Sequence, residues 1–204
     1  GMKQIIVMMA AVVLGQSVLA ADENPLIADP IVEKEVREEL KKPEGELTEA
    51  DLAKVTRLDF NDTQITDVGL KEAAKLKNLY WLSLGDTKIT DAGLKELAKL
   101  QQLGWLYLSD TKITDAGLKE VAKLKNLYWL SLGDTKITDA GLEEVAKLQQ
   151  LDALYLHSTK ITDAGLKHLA KLKKLTFLRL DNTKATASGV SELKKALPYC
   201  RISN

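Results

Sequence analysis

One spacing governs what this chain can become. Leu79, Leu103, Leu127, Leu151 and Leu175 stand 24 residues apart, and Thr63, Thr87, Thr111, Thr135, Thr159 and Thr183 keep the same interval. That period defines six copies of one unit, the first and last imperfect. No single copy can enclose its own leucines, so the copies must stack and share a core.

Each unit opens with alternation, as in Trp81-Leu82-Ser83-Leu84, which suits a short strand with leucines on one face. The pattern then changes at Ile89-Thr90-Asp91-Ala92-Gly93-Leu94. Thr90 fits a helix N-cap, Asp91 sets negative charge at the positive end of the helix dipole, and Ile89 can staple against Leu94. Leu94, Leu97, Ala98 and Leu100 form an apolar stripe, while Lys95, Glu96 and Lys99 face water. Stacking such units puts the strands side by side in a parallel sheet along one side.

Over Val55 to Leu197 the pattern L-x-x-L-x-L-x-x-T-x-I-T-D-x-G-L-x-x-L-A-x-L resembles the leucine-rich repeat family. It is closest to the cysteine-containing type, with Thr where the family has Asn or Cys at the ninth position. The resemblance implies an α/β right-handed solenoid, with a parallel β-sheet on the concave face and α-helices on the convex face. It also implies protein interaction as the usual use.

The flanks read as caps for the open ends of the stack. Ile31 to Lys42 suits an amphipathic helix with Val32, Val36 and Leu40 on one side, ended by Pro43 and Gly45. Leu47 and Leu52 bracket a capping box, Thr48-Glu49-Ala50-Asp51. The stretch "VREELKKPEGELTEADLAKVTRLDF" resembles the N-terminal caps of bacterial leucine-rich repeat proteins of the internalin type. At the other end "LPYCRI" reads as a terminal strand whose Cys200 and Ile202 cover the last repeat, with Cys200 as a small buried hydrophobe.

The first residues read as a targeting segment. Gly1 before Met2 looks like an expression remnant. Lys3, the apolar run Ile5 to Leu14 and the small residues of Val18-Leu19-Ala20 fit a secretory signal peptide, with mature protein from near Ala21. The apolar run falls short of the roughly 20 residues of a membrane span. The expected organisation is signal peptide 1–20, linker 21–30, helical cap 31–54, six repeats 55–197 and C-terminal cap 198–204. A periplasmic or secreted protein without a stable membrane span after cleavage follows, an uncleaved anchor being the alternative.

Charge and cysteine content narrow the partners. Lys plus Arg and Asp plus Glu number 29 each, so no net field gathers nucleic acid or anionic lipid. The single cysteine, Cys200, allows neither an internal disulfide framework nor a thiolate metal cluster.

With the leucines committed to the core, function is expected on the outward face of the sheet. The third position of each unit reads Arg57, Trp81, Trp105, Trp129, Ala153 and Phe177, so all three tryptophans share one column. The fifth reads Asp59, Ser83, Tyr107, Ser131, Tyr155 and Arg179, and Tyr80 and Tyr128 stand at the second. Rungs lie about 4.8 Å apart, so adjacent rings can stack into a ladder that merely stiffens the sheet. Against that reading, tryptophan and tyrosine dominate binding hot spots, and an apolar patch of this extent marks interaction sites. The candidate ligand-binding residues are Trp81, Trp105, Trp129, Tyr107, Tyr155, Phe177, Arg57, Arg179, His157, Tyr80 and Tyr128. The expected partner is a protein or peptide. Alternatives are a cell-wall glycan stacked on the tryptophans, or a homodimer that buries the column, in a chain otherwise monomeric.

The seventh position reads Asn61, Gly85, Ser109, Gly133, His157 and Asp181, and the eighth Asp62, Asp86, Asp110, Asp134, Ser158 and Asn182. Four aspartates in a row repel one another unless Lys88, Lys112 and Lys136 or turn amides offset them. A row of oxygens suits a hard cation, but the loop lacks the ligand density of a calcium site, and no metal or cofactor is expected. His157 and Asp181 are placed to touch. No aligned nucleophile or oxyanion hole accompanies them, so no catalytic residue is expected and His157 is assigned to the binding rim. Finally, Leu76 to Leu103 and Leu124 to Leu151 differ only at Lys95 against Glu143 and Leu97 against Val145, as duplication of a two-repeat unit would leave them.

Overall fold

The computed structural model describes residues 25–204, so the expected signal peptide and residues 21–24 lie outside the described residues. Two N-terminal helices, α1 (Pro30–Leu40) and α2 (Glu49–Leu52), precede the repeats. Then come β1 (Arg57–Asp59), α3 (Asp67–Ala73), β2 (Trp81–Ser83), α4 (Asp91–Leu97), β3 (Trp105–Tyr107), α5 (Asp115–Val121), β4 (Trp129–Ser131), α6 (Asp139–Val145), β5 (Ala153–Tyr155), α7 (Asp163–Leu169), β6 (Phe177–Arg179), α8 (Ala187–Ala196) and β7 (Arg201–Ser203). The seven strands form one parallel sheet in chain order. Packed helices need about 8–10 Å between axes, whereas paired strands need about 4.8 Å. The stack therefore curves, with the sheet inside and the helices outside.

The core is a column of leucines repeated rung by rung. Leu79, Leu82, Leu84, Ile89, Leu94, Leu97 and Leu100 are all fully buried, as are their counterparts one repeat on. The ninth-position threonines close the loop after each strand. Thr87 Oγ1 donates to the carbonyl of Leu84, and Thr111, Thr135 and Thr159 do the same in their repeats, each at 2.6 to 2.7 Å. The eighth-position residues just before them, Asp62, Asp86, Asp110, Asp134, Ser158 and Asn182, all adopt the left-handed conformation, with φ between 49° and 58°. Asp and Asn tolerate it better than other non-glycine residues.

A second ladder ties the helix starts together. Thr90 caps α4 by accepting from Ala92 N–H, and its own N–H and hydroxyl donate to the two carboxylate oxygens of Asp67, one repeat earlier, at 2.9 and 2.6 Å. The same pair recurs as Asp91–Thr114, Asp115–Thr138, Asp139–Thr162 and Asp163–Thr186. The aspartate carboxylate passes over the next repeat's helical glycine. A Cβ on Gly141 would stand 2.5 Å from Asp115 Oδ1 and 2.7 Å from Leu118 Cδ1.

The ends differ in detail from expectation. Helix α1 begins at Pro30 rather than Ile31, because Asp29 Oδ1 accepts from Ile31 and Val32 N–H and proline suits the first turn. It ends where Lys41 turns left-handed, at φ 52°, before Pro43 is reached. The stretch 21–30 does not behave as a free linker over its second half. Ile27 is buried, Lys75 Nζ donates to the Leu26 carbonyl, and Ala28 N–H donates to Glu72. At the far end β7 pairs with β6, Ile202 opposite Leu178, and Cys200 is buried, which pushes its thiol up to about 11.

Candidate functional site

The parallel register aligns the outward side chains rung by rung. Trp81 lies opposite Trp105, Trp105 opposite Trp129, and Trp129 opposite Ala153, with Tyr107 opposite Ser131 and Tyr155 opposite Arg179. Identical backbones at each rung leave the rings to settle their own packing. Trp129 is the hub: it stacks on Trp105 at 5.1 Å between ring centroids, on Tyr107 at 5.6 Å, and against Tyr155 at 4.9 Å. Tyr155 continues to Phe177 at 5.2 Å. Trp105 meets Tyr128 edge-on at 5.0 Å.

Tyr80 and Tyr128 are two repeats apart in sequence yet 6.0 Å apart in space. Gly104 occupies the rung between them, and a Cβ there would stand 2.5 Å from Tyr80 Cε2 and 2.9 Å from Tyr128 Cε1. The glycine makes the closure possible. Burial, with the Tyr80 hydroxyl beside it and Asp152 near, holds the Tyr128 phenol above the ordinary tyrosine range. Tyr80 is the most exposed ring of the strip, at 45%.

Trp81 stands outside this cluster. Its face is covered by Arg57, whose Cζ lies 3.7 Å from the ring centroid and whose Nη2 is 3.7 Å from Asp59 Oδ2. Arg179, at the other end, donates from Nε to Asp181 Oδ2 at 2.8 Å. That bond, with Ser203 Oγ donating as well, holds the Asp181 carboxyl below the usual range. Both arginines are thus engaged within the chain.

His157 does not pair with Asp181, whose oxygens are taken by Arg179 and Ser203. It turns back over Gly133, where a Cβ would collide with the imidazole, and its Nε2 lies 3.5 Å from Asp134 Oδ2 of the preceding repeat. Its Nδ1 is buried without a partner. The aspartate row runs along this margin, and its backbone N–H groups extend the ladder: Asp86 donates to Ser109, Asp110 to Gly133 and Asp134 to His157. Burial and the neighbouring Asp134 and Asp86 raise the Asp110 carboxyl above its usual value. Lys88, Lys112 and Lys136 do not offset the row; among the described residues the only ion-pair partner of these aspartates is His157.

Beneath the rings lies a polar layer that sequence reasoning missed. Ser83 Oγ donates to Asn61 Oδ1 at 2.5 Å, Gly85 N–H donates to the same oxygen, and Ser109 and Ser131 share a hydrogen bond of 2.6 Å. The signal was available, since serines alternate with tyrosines at the fifth position. Small residues there make room for the rings of the adjoining rungs.

A sheet of this register, with helices on the outer side of every strand, is the architecture of a leucine-rich repeat. A family model described as a leucine-rich repeat region matches residues 47–200, and the chain belongs to that family. Solved structures agree. A leucine-rich repeat protein of Leptospira interrogans is 31% identical with a TM-score of 0.61, the match covering 76% of this chain and 38% of that one. An internalin of Listeria monocytogenes is 23% identical with a TM-score of 0.56, over 76% of this chain and 49% of its own. Internalin C2 of the same organism is 24% identical with a TM-score of 0.51, over 87% and 95%. The chain therefore spans less than half the length of the first two. No curated protein matches it.

Proposed function

We propose that this chain is an exported, non-enzymatic binding module that recognises a protein or peptide through the aromatic concave face of its sheet. The observation that carries the reading is the continuous strip of half-buried rings from Tyr80 to Phe177, centred on Trp129. Half-exposed tryptophan and tyrosine supply large contact area at little conformational cost. The convex side instead presents lysine and glutamate, paired at the ends of α3, α4, α5 and α6 as in Lys99–Glu96 and Lys123–Glu120. Export rests on the composition of residues 1–20, and no helix of the described residues is long and apolar enough to cross a membrane.

The test is capture from an envelope extract with the chain from Ala21 and with a Tyr107→Ser/Tyr155→Ser variant. Serine already stands at that position in the neighbouring repeats, as Ser83 and Ser131, so the variant keeps the fold. A protein retained by the first and lost by the second supports the reading. Retention by both removes the face from recognition. Release by free sugar would transfer the face to glycan binding, and a dimer on sizing chromatography without ligand would assign the rings to self-association.

A further inference from the structure

We infer that the segment this face takes is an extended, lysine- or arginine-rich stretch of a protein partner, lying along the ring strip against the row Asp62, Asp86, Asp110 and Asp134. The inference rests on the reading of the sheet face as the binding face. Three observations lead to it.

The aspartates carry more charge than their turns require. The left-handed turn is satisfied by Ser158 in the fifth repeat and Asn182 in the sixth, at φ 54° and 58°. Where charge is kept, it is kept in an unbroken run beside the three tryptophan rungs and the first strand. Exposed carboxylates one rung apart repel one another, and among the described residues no lysine pairs with them, His157 beside Asp134 being the row's one ion-pair partner. A cation from outside would relieve that repulsion.

The chain also displays the contact it would make. Arg57 lies over Trp81, with Cζ 3.7 Å from the ring centroid, and its Nη2 stands 3.7 Å from Asp59 Oδ2. That is how an arginine is held by an aromatic face beside a carboxylate. On the next rungs Ser83 and Tyr107 replace Asp59, and the carboxylates stand three residues on, as Asp86, Asp110 and Asp134, with no Lys or Arg paired to them among the described residues.

The dimensions agree. Four rungs span about 14 Å, and same-side residues of an extended chain recur about every 6.8 Å. Two or three basic side chains thus reach the row while their aliphatic stems lie on the rings. An acidic ligand is repelled by the same row.

The experiment is selection of a displayed random dodecapeptide library on the immobilised chain. Selected peptides are then measured by fluorescence polarisation against the wild type, Asp86→Asn/Asp110→Asn/Asp134→Asn and Tyr107→Ser/Tyr155→Ser. Asparagine preserves the turn, as Asn182 shows. Enrichment of Lys and Arg, with binding at least about tenfold weaker in the asparagine variant and weakened by salt, is the expected result. Peptides without basic enrichment, or indifferent to the asparagine variant yet lost with the serine variant, would overturn this inference and leave the binding face standing. No enrichment at all would overturn this inference alone, and peptides indifferent to both variants would overturn both.

Discussion

Asp115 and Thr138 are joined twice across a repeat boundary: the threonine N–H donates to Asp115 Oδ1 at 2.8 Å and its hydroxyl to Oδ2 at 2.6 Å. Asp115 opens α5 and Thr138 caps α6, so one carboxylate serves the dipole of its own helix and fixes the start of the next. Replacing it by alanine removes two charge-assisted bonds and leaves a donor pair short of an acceptor. Asp115→Ala should lower stability by about 1–3 kcal/mol, read as a shift of the urea midpoint. An unchanged midpoint would mean that water serves the threonine equally well.

Gly141 tests the same joint from below. Alanine normally favours a helix interior by up to about 1 kcal/mol over glycine. Here the added methyl meets Asp115 Oδ1 and Leu118 Cδ1, so Gly141→Ala should destabilise by about 1–3 kcal/mol instead. In a double-mutant cycle with Asp115→Ala the two losses should fall short of their sum. Strict additivity in urea unfolding would show that the glycine and the carboxylate are not coupled.

Asp110 separates conformation from charge. Its carboxyl is raised by burial and by Asp134 and Asp86, so the folded state holds its proton more tightly than the unfolded chain. Stability from this residue is greatest below the unfolded value of about 3.9 and declines as pH rises through that value to the folded one. Asp110→Asn should therefore be neutral or slightly stabilising at pH 7, by no more than a few tenths of a kcal/mol (about 0.3) given its exposure. Asp110→Ala forfeits the left-handed preference and should cost about 1 kcal/mol. Thermal unfolding of both variants at pH 3 and pH 7 distinguishes them.

Tyr128 makes an alkaline prediction. Its phenol is raised above the ordinary value of about 10, so the unfolded chain ionises first. Stability is unaffected below that value and falls as pH rises beyond it towards the folded value. Absorbance titration should show one tyrosine ionising after the rest, and Tyr128→Phe should remove that late step. A titration in which all tyrosines ionise together would contradict the Tyr80–Tyr128 closure.

Of the architecture, whatever depends on one repeat at a time was legible in the chain. The 24-residue period placed Leu82 inward, Trp81 outward and Thr90 at a helix start. Relationships between repeats were less visible. Asp91 was read only as a partner of its own helix dipole, and the chain pattern did not show that both its oxygens also accept from Thr114 one repeat on. His157 and Asp181 share a column, but the side chain direction sends the imidazole back over Gly133. The Tyr80–Tyr128 contact skips a rung, and only the vacancy at Gly104 foretells it. Column positions follow from periodicity; the lean of a side chain within its column depends on what the adjacent rungs leave empty.

The forward reach of each aspartate to the next threonine gives every inner repeat a plug on one side and a socket on the other, the first repeat carrying only the plug and the sixth, with Ala187 in the aspartate's place, only the socket. A unit lifted out or copied in between two others finds both halves of its joints already supplied. The near-identical stretches at Asn78 and Asn126 are what such interchangeable parts permit: the array can change length by whole units, and the face it displays can grow or shrink, without any new joint having to arise.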